Sequence, residues 1–588
     1  MKREALGIMS NRFVGVSILA VATLAAVGSC RTAPSTGQAT DETVESPAPP
    51  SPPPLPEPDE SLIAEGTLPR RLALERSSSM QSLSHGLGFF PPGQHRFPAR
   101  RLRSRDRFAS TQPNPVRVTA EEPVSTFSVD VDTASYSFVR NSLVNGVLPP
   151  TDAVRVEELV NYFQYDYSPP ADPSTPFATT VCLVPTPWNA DTRLLHIGIK
   201  GYELKTESPP RANLVFLVDT SGSMSEHDKL PLVVSSLKLL VSALSPDDTV
   251  AIVTYGGSVG TLLEPTKVAE QAVILASLND LGAGGSTPGG EGLRQAYQLA
   301  ERNLVPDGVN RVILATDGDF NVGITGVDEL KDFVERKRSN GVLLSVLGFG
   351  TGNYNDELMQ VLAQNGNGTA AYIDNLMEAQ KVLVQEATST LFPISKDVKI
   401  QVEFNPAAVS EYRLIGYETR LLDREDFRND KVDAGDIGAG HSVTALYELT
   451  MVGSGAERVP PLRYGPKKPA TAQAPDEYAF VKIRYKLPDS DTSEMATWPV
   501  TRADEGTPST LVLREARFAA AVAGFGQILR NDRYTGDFGY DDVLALARTA
   551  KGEDPFGYRG EFLRLVDLAR VATAMKPLHS DRGLGARN

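Results

Sequence analysis

Leu214-Val215-Phe216-Leu217-Val218 runs directly into Asp219-Thr220-Ser221-Gly222-Ser223. Five apolar residues without alternation read as a strand buried on both faces. The polar residues behind them read as a loop at its carboxyl end. An amphipathic helix follows, with Leu230, Val233, Val234, Leu237 and Leu240 on one stripe. Further strands are expected at 250–253, 262–263 (short), 312–315, 343–349 and 371–373. Helices are expected at 269–281, 290–303, 327–339, 355–364 and 376–391. Strands that alternate with helices need parallel crossovers. Residues 211–393 therefore read as an α/β domain with a doubly wound, mostly parallel sheet.

Three segments of this domain carry chemistry. They are Asp219-Thr220-Ser221-Gly222-Ser223, Gly285-Ser286-Thr287-Pro288-Gly289-Gly290 and Thr316-Asp317-Gly318. All three fall at, or in loops above, the carboxyl ends of strands, where open α/β sheets bind ligands. Their side chains are carboxylates and hydroxyls, hard oxygen donors suited to Mg²⁺, with Mn²⁺ or Ca²⁺ as alternatives. Neither His nor Cys is among them, which argues against zinc. Mg²⁺ prefers octahedral coordination and keeps waters, so five protein groups leave one position for an outside ligand.

The order Asp-x-Ser-x-Ser, then Thr, then Asp resembles the metal-ion-dependent adhesion site of von Willebrand factor type A domains. That resemblance implies a Rossmann-like fold. It also implies a metal held by Asp219, Ser221, Ser223, Thr287 and Asp317, with a partner protein's carboxylate in the open position. Pro288 departs from the family, which often has Asn after the Thr. Phe127 to Tyr136, Thr316 to Gly323 and Gly366-Asn367-Gly368 resemble a bacterial subfamily of cell-envelope lipoproteins. In that subfamily a short N-terminal region precedes the type A domain, and a C-terminal domain follows it.

On either side of 211–393 the pattern changes. Residues 114–210 read as a β/α region with strands at 127–132, 178–184 and 194–200 and helices at 133–143 and 154–163. Residues 394–505 alternate with period two at 397–404, 412–418, 441–452, 478–486 and 495–501, an antiparallel β unit. Residues 506–580 hold three helices, near 509–530, 540–550 and 560–575. Strands before and after the α/β domain suggest that it is inserted into a β-rich sandwich.

The first thirty residues read as a leader. Lys2, Arg3 and Arg12 are basic, and Phe13 to Val27 is an apolar run. Val27-Gly28-Ser29-Cys30 resembles a lipobox, which implies acylation of Cys30 and anchoring by lipid. Arg31 in place of Asp implies, by the same resemblance, the outer membrane of the envelope, with the folded part facing the periplasm or the cell surface. Residues 31–113, rich in Pro, Ser and Arg, read as a disordered spacer. Cys182 has no expected partner and reads as a buried thiol. A net charge of −15 argues against a general nucleic-acid binder.

Other signals are weaker. Asp130-Val131-Asp132-Thr133 is similar to a phosphatase nucleophile loop, but Ala134 stands where that motif needs a hydroxyl; Asp132 reads as a helix cap. Asp319 and His227 are the only general bases the sequence offers near the metal segments; His227 reads as a solvated loop residue, and Asp319 reads equally as an acid behind the metal ligands or as an exposed turn residue. The expectation is a non-enzymatic binding protein. A Mg²⁺-dependent hydrolase and a scaffold stabilised by metal are the alternatives.

Overall fold

The computed structural model describes residues 106–129, 131–172, 175–203, 210–285, 289–306, 308–318, 327–386, 392–432, 434–460, 462–463, 476–488, 490, 492–505 and 509–575. Cys30, Thr287 and Asp319 lie outside the described residues, as do residues 31–105 of the expected spacer. No helix among the described residues is long and apolar enough to cross a membrane.

The chain opens with strands β1 (Arg117–Val118) and β2 (Val124–Ser128), helices α1 (Ala134–Val144) and α2 (Val156–Asn161), and a hairpin of β3 (Phe177–Thr186) and β4 (Asn189–Gly201). The α/β domain follows as β5 (Ala212–Asp219), α3 (Leu230–Ala243), β6 (Thr249–Gly256), β7 (Ser258–Lys267), α4 (Gln271–Asn279), α5 (Gly289–Arg302), β8 (Val309–Thr316), α6 (Val327–Ser339), β9 (Leu343–Phe349), α7 (Asp356–Asn365), β10 (Ala370–Ile373) and α8 (Leu376–Gln380). The chain returns through β11 (Pro393–Phe404), β12 (Val409–Ile415), β13 (Ile437–Gly438), β14 (Ser442–Met451), β15 (Glu477–Lys486) and β16 (Ser493–Thr501). It closes on α9 (Thr510–Leu529), α10 (Tyr540–Ala550) and α11 (Tyr558–Ala574).

Every residue of β5 is buried, because β5 lies inside the sheet β10-β9-β8-β5-β6-β7 with helices on both faces. Val215 and Leu217 pack towards α5, α6 and α7. Leu214, Phe216 and Val218 pack towards α3, α4 and the segment after β10. All pairings are parallel except β6 with β7. The antiparallel edge strand β7 is ten residues long, where the sequence suggested a two-residue piece. Only Leu263 along it is buried, so its alternation is too faint to read. Helix α8 ends at Gln380 and passes into a wider helical turn at Lys381–Gln385; the rest of the helix expected to 391 falls on 387–391, outside the described residues.

The flanks are not separate units. Strand β4 pairs with β14 along eight residues, in the sheet β1-β12-β14-β4-β3. Strand β2 pairs with β11, beside β15 and β16. Phe127, Ile197, Ile400, Val402, Tyr447 and Val481 fill the space between the two sheets. The α/β domain therefore leaves one sandwich and re-enters it. The C-terminal helices cap the same sandwich: Phe518, Val522 and Phe562 share a core with Phe163, Val184 and Leu194. The spacer also ends earlier than residue 113. Asp106 accepts from Gly352 N and Tyr354 N, both at 2.9 Å, and Phe108 packs edge-on against Phe138.

Buried ion pairs join the parts. Arg140 on α1 contacts Asp374, Glu378 at 2.7 Å and Glu561 on α11 at 3.1 Å. Arg155 contacts Glu158 and reaches Asp356 at 2.6 Å. Asp132 does not take the cap expected of it, since the N-cap position of α1 falls on Thr133; instead it accepts from Ala370 N at 2.9 Å and pairs with Arg420 at 3.0 Å. Cys182 is free and buried, and burial pushes its thiol up to about 12.

Beside Tyr167, on the face of β4 turned to the C-terminal helices, lies a buried histidine. His196 on β4 is fully buried; its Nε2 lies 2.9 Å from Tyr167 Oη, and Nδ1 has no partner. Burial pushes the imidazole down to about 4. The unfolded chain takes up this proton near pH 6.5, while the folded chain resists until about 4. The stability tied to neutral His196 is thus complete above the unfolded value and is lost as pH falls from there towards 4, on the order of 3 kcal/mol. Urea midpoints at pH 7 and pH 4.5 should fall steeply for the wild type and less steeply for His196→Gln. Equal slopes would remove His196 as the cause.

Candidate metal centre

Strand β5 delivers Asp219 to the carboxyl edge of the sheet, and β8 delivers Asp317 next to it. Both residues are fully buried. Behind Asp219 the chain makes a short 3-10 turn, Gly222–Ser225. Met224 anchors that turn by burying its side chain completely in the core under α3. The turn sets Ser221 Oγ and Ser223 Oγ 3.0 Å apart. Ser221 N donates to Asp219 Oδ1 at 2.9 Å, and Thr316 Oγ1 donates to Asp219 Oδ2 at 3.2 Å. Ser221 is buried and Ser223 exposed, so the hydroxyl pair stands between core and solvent.

Glycines close the second loop onto the first. Gly284 N donates to Thr220 O at 2.7 Å, and Gly222 N donates to Gly285 O at 3.3 Å. Gly285 has φ +92°, and a Cβ there would lie 2.3 Å from Gly257 Cα. The backbone two residues before Thr287 is thereby fixed beside Ser221. Thr287 itself lies outside the described residues.

The two carboxyls are tuned in opposite directions. Burial raises the Asp219 pKa, with a smaller push from the Asp317 charge; hydrogen bonds from Ser221 work against both. Burial also acts upward on Asp317, but hydrogen bonds from Lys229 and Asn353 outweigh it and hold that carboxyl below its usual range. Lys229 is the residue that sequence reading missed. Its Nζ lies 2.9 Å from Asp317 Oδ2 and 3.3 Å from Asn353 Oδ1, and the residue is 5% exposed. A signal existed: Lys229 is the N-cap of α3, where a helix dipole disfavours a cation.

The donor set suits a hard divalent cation. Octahedral Mg²⁺, with ligands at about 2.05 Å, needs neighbouring oxygens about 2.9 Å apart. The Ser221 and Ser223 hydroxyls meet that spacing at 3.0 Å. Among the described residues no group of three His, Cys, Asp or Glu side chains is placed to hold a metal, so any metal here depends on hydroxyls. His227 is exposed in the loop before α3.

Over 474 residues the chain is 47% identical to the Escherichia coli (strain K12) protein named "Uncharacterized protein YfbK", spanning 79% of this chain and 81% of that one. The chain belongs to the YfbK family. The sequence pattern of the YfbK C-terminal region matches residues 389–571, and that of the von Willebrand factor type A domain matches residues 213–386. A further pattern, described as von Willebrand factor, matches residues 102–196. More distant is inter-alpha-trypsin inhibitor heavy chain H3 of Mesocricetus auratus, 26% identical over 41% of this chain and only 29% of that protein. Among solved structures, a von Willebrand factor type A protein from Catenulispora acidiphila is similar over 68% of this chain and 91% of its own, at 16% identity and TM-score 0.36. In this YfbK relative, then, the carboxyl-edge loops described above belong to a type A domain.

The glycine cradle makes a sharp expectation. Gly285→Ala forces a Cβ into the Gly257 backbone at a positive φ, a cost of about 1–3 kcal/mol in urea denaturation. Gly284→Ala, whose Cβ would meet nothing within 4 Å, should cost clearly less. Equal losses would show that the close approach of the two loops is unimportant.

Proposed function

We propose that Asp219, Ser221, Ser223, Thr287 and Asp317 bind Mg²⁺, and that its open coordination position accepts a carboxylate from a partner protein. The observation that carries this is the pair of hydroxyls at metal-ligand spacing, between two buried carboxylates on adjacent strands. When bound, the cation supplies a positive centre that an acidic side chain completes and neutralises. The chain's own groups do the rest: Asp219 and Asp317 provide charge, and the serines provide neutral ligands that swing little because Met224 pins their turn.

The reading is non-enzymatic. The described polar neighbours of the two carboxyls include Ser221, Ser223, Tyr255, Thr316, Lys229 and Asn353; the lysine is tied to Asp317, and burial keeps the Tyr255 hydroxyl protonated. None is poised as a general base. Lipid attachment at Cys30, and a place in the bacterial envelope as an anchored binding protein, rest on the leader and its lipobox-like end.

Two experiments test this. Calorimetry on the purified full chain should show Mg²⁺ binding that weakens at least about tenfold in Asp219→Ala, the loss of one charged ligand. Unchanged affinity would sink the site assignment. In cells, Cys30→Ser should move the protein from the membrane fraction to the soluble one; a variant that stays with membranes would overturn the lipid anchor.

A further inference from the structure

Lys229 has no part in the proposed coordination set, yet it is among the most deliberately housed charges in the molecule. Its aliphatic stem passes over Gly350, which has φ +70°; a Cβ there would lie 2.5 Å from both Lys229 Cγ and Cε. The ammonium ends on Asp317 Oδ2 and Asn353 Oδ1. Asn353 comes from the loop before α7, which also abuts Gly318, whose Cβ would sit 2.6 Å from Asn355 N. A buried ammonium at a helix start is opposed by desolvation and by the helix dipole. One carboxylate offsets both.

The formal charges decide what this arrangement does. Asp219 and Asp317 bring −2, and Lys229 brings +1. A divalent cation takes the cluster to +1, whereas without the lysine it would reach zero. An incoming carboxylate then neutralises the cluster with Lys229 present, and leaves it at −1 without it. In a partly buried site such differences act over several ångströms.

We propose that Lys229 is a specificity-determining residue: it weakens the hold on the metal alone and strengthens the hold on metal plus an anionic ligand. The cation and the acidic partner then bind cooperatively, and the site is reserved for carboxylate-bearing ligands over neutral oxygen donors. This rests on the metal reading above, and goes beyond it by assigning the coupling to one residue outside the coordination set.

The test is calorimetry on the full chain, titrating Mg²⁺ with and without sodium acetate as the probe anion, with sodium chloride matched. Lys229→Met keeps the stem and removes the charge. It should bind Mg²⁺ alone roughly three- to tenfold more tightly than wild type, and the gain in Mg²⁺ affinity on adding acetate should shrink or vanish. Weaker Mg²⁺ binding in Lys229→Met would reduce the lysine to a positioning residue for Asp317, and an undiminished acetate effect would overturn the coupling. A wild type that binds no Mg²⁺ would instead sink the site itself, a separate failure. Should Lys229→Met not fold by its chelator-treated melting curve, Lys229→Gln carries the same comparison.

Discussion

Strand β4 hydrogen-bonds to β14 across roughly two hundred and forty residues of sequence, and almost everything else follows from that pairing. It forces the α/β domain out of the sandwich as an insertion with two fixed ends. Gly201, at the end of β4, lies against Ile394, at the start of β11; a Cβ on Gly201 would meet Ile394 Cδ1 at 2.8 Å. Buried charges also set how the inserted domain meets the N-terminal elements. Arg140 on α1 and Arg155 just before α2 reach Asp374, Glu378 and Asp356 on the inserted domain. Removing either arginine would leave buried carboxylates uncompensated, a more costly state than having no ion pair at all.

The sequence made local order legible. The apolar run of β5 and the helical stripe of α3 are patterns of neighbouring residues, and neighbours are what periodicity reports. Asp219, Ser221, Ser223 and Asp317 were picked out for the same reason, since they lie at or within four residues of the carboxyl end of a buried strand. The less legible features are products of distance. Asp106 on Gly352 and Tyr354, Arg140 on Asp374 and Lys229 on Asp317 each join segments with no periodic relation. The insertion of the α/β domain into a sandwich built from both flanks was legible from the strands on either side of it; which strands pair was not, because a strand pattern names a face but not its partner strand. Edge strand β7 escaped because one buried residue makes no pattern.

At the carboxyl edge of the sheet, rigidity is concentrated in backbone rather than in side chains. Gly256, Gly257, Gly285, Gly318 and Gly350 all have positive φ, and they bring the loops around Asp219, Asp317 and Lys229 into close contact. The positions of Asp219, Ser221, Ser223 and Asp317 are thereby fixed by the backbone before any ligand arrives.

The abutment of Gly201 and Ile394 has a thermodynamic consequence for the sandwich. While the inserted domain is folded, β5 to α8, which lie between Gly201 and Ile394, are ordered in cores of their own. Once that domain unfolds, the intervening chain becomes a flexible loop of roughly 190 residues, and closing it costs about 5 kcal/mol of chain entropy. That is comparable to the whole stability of many single domains. The two parts are therefore linked in melting as well as in sequence, and whatever protects the inserted domain protects the sandwich around it.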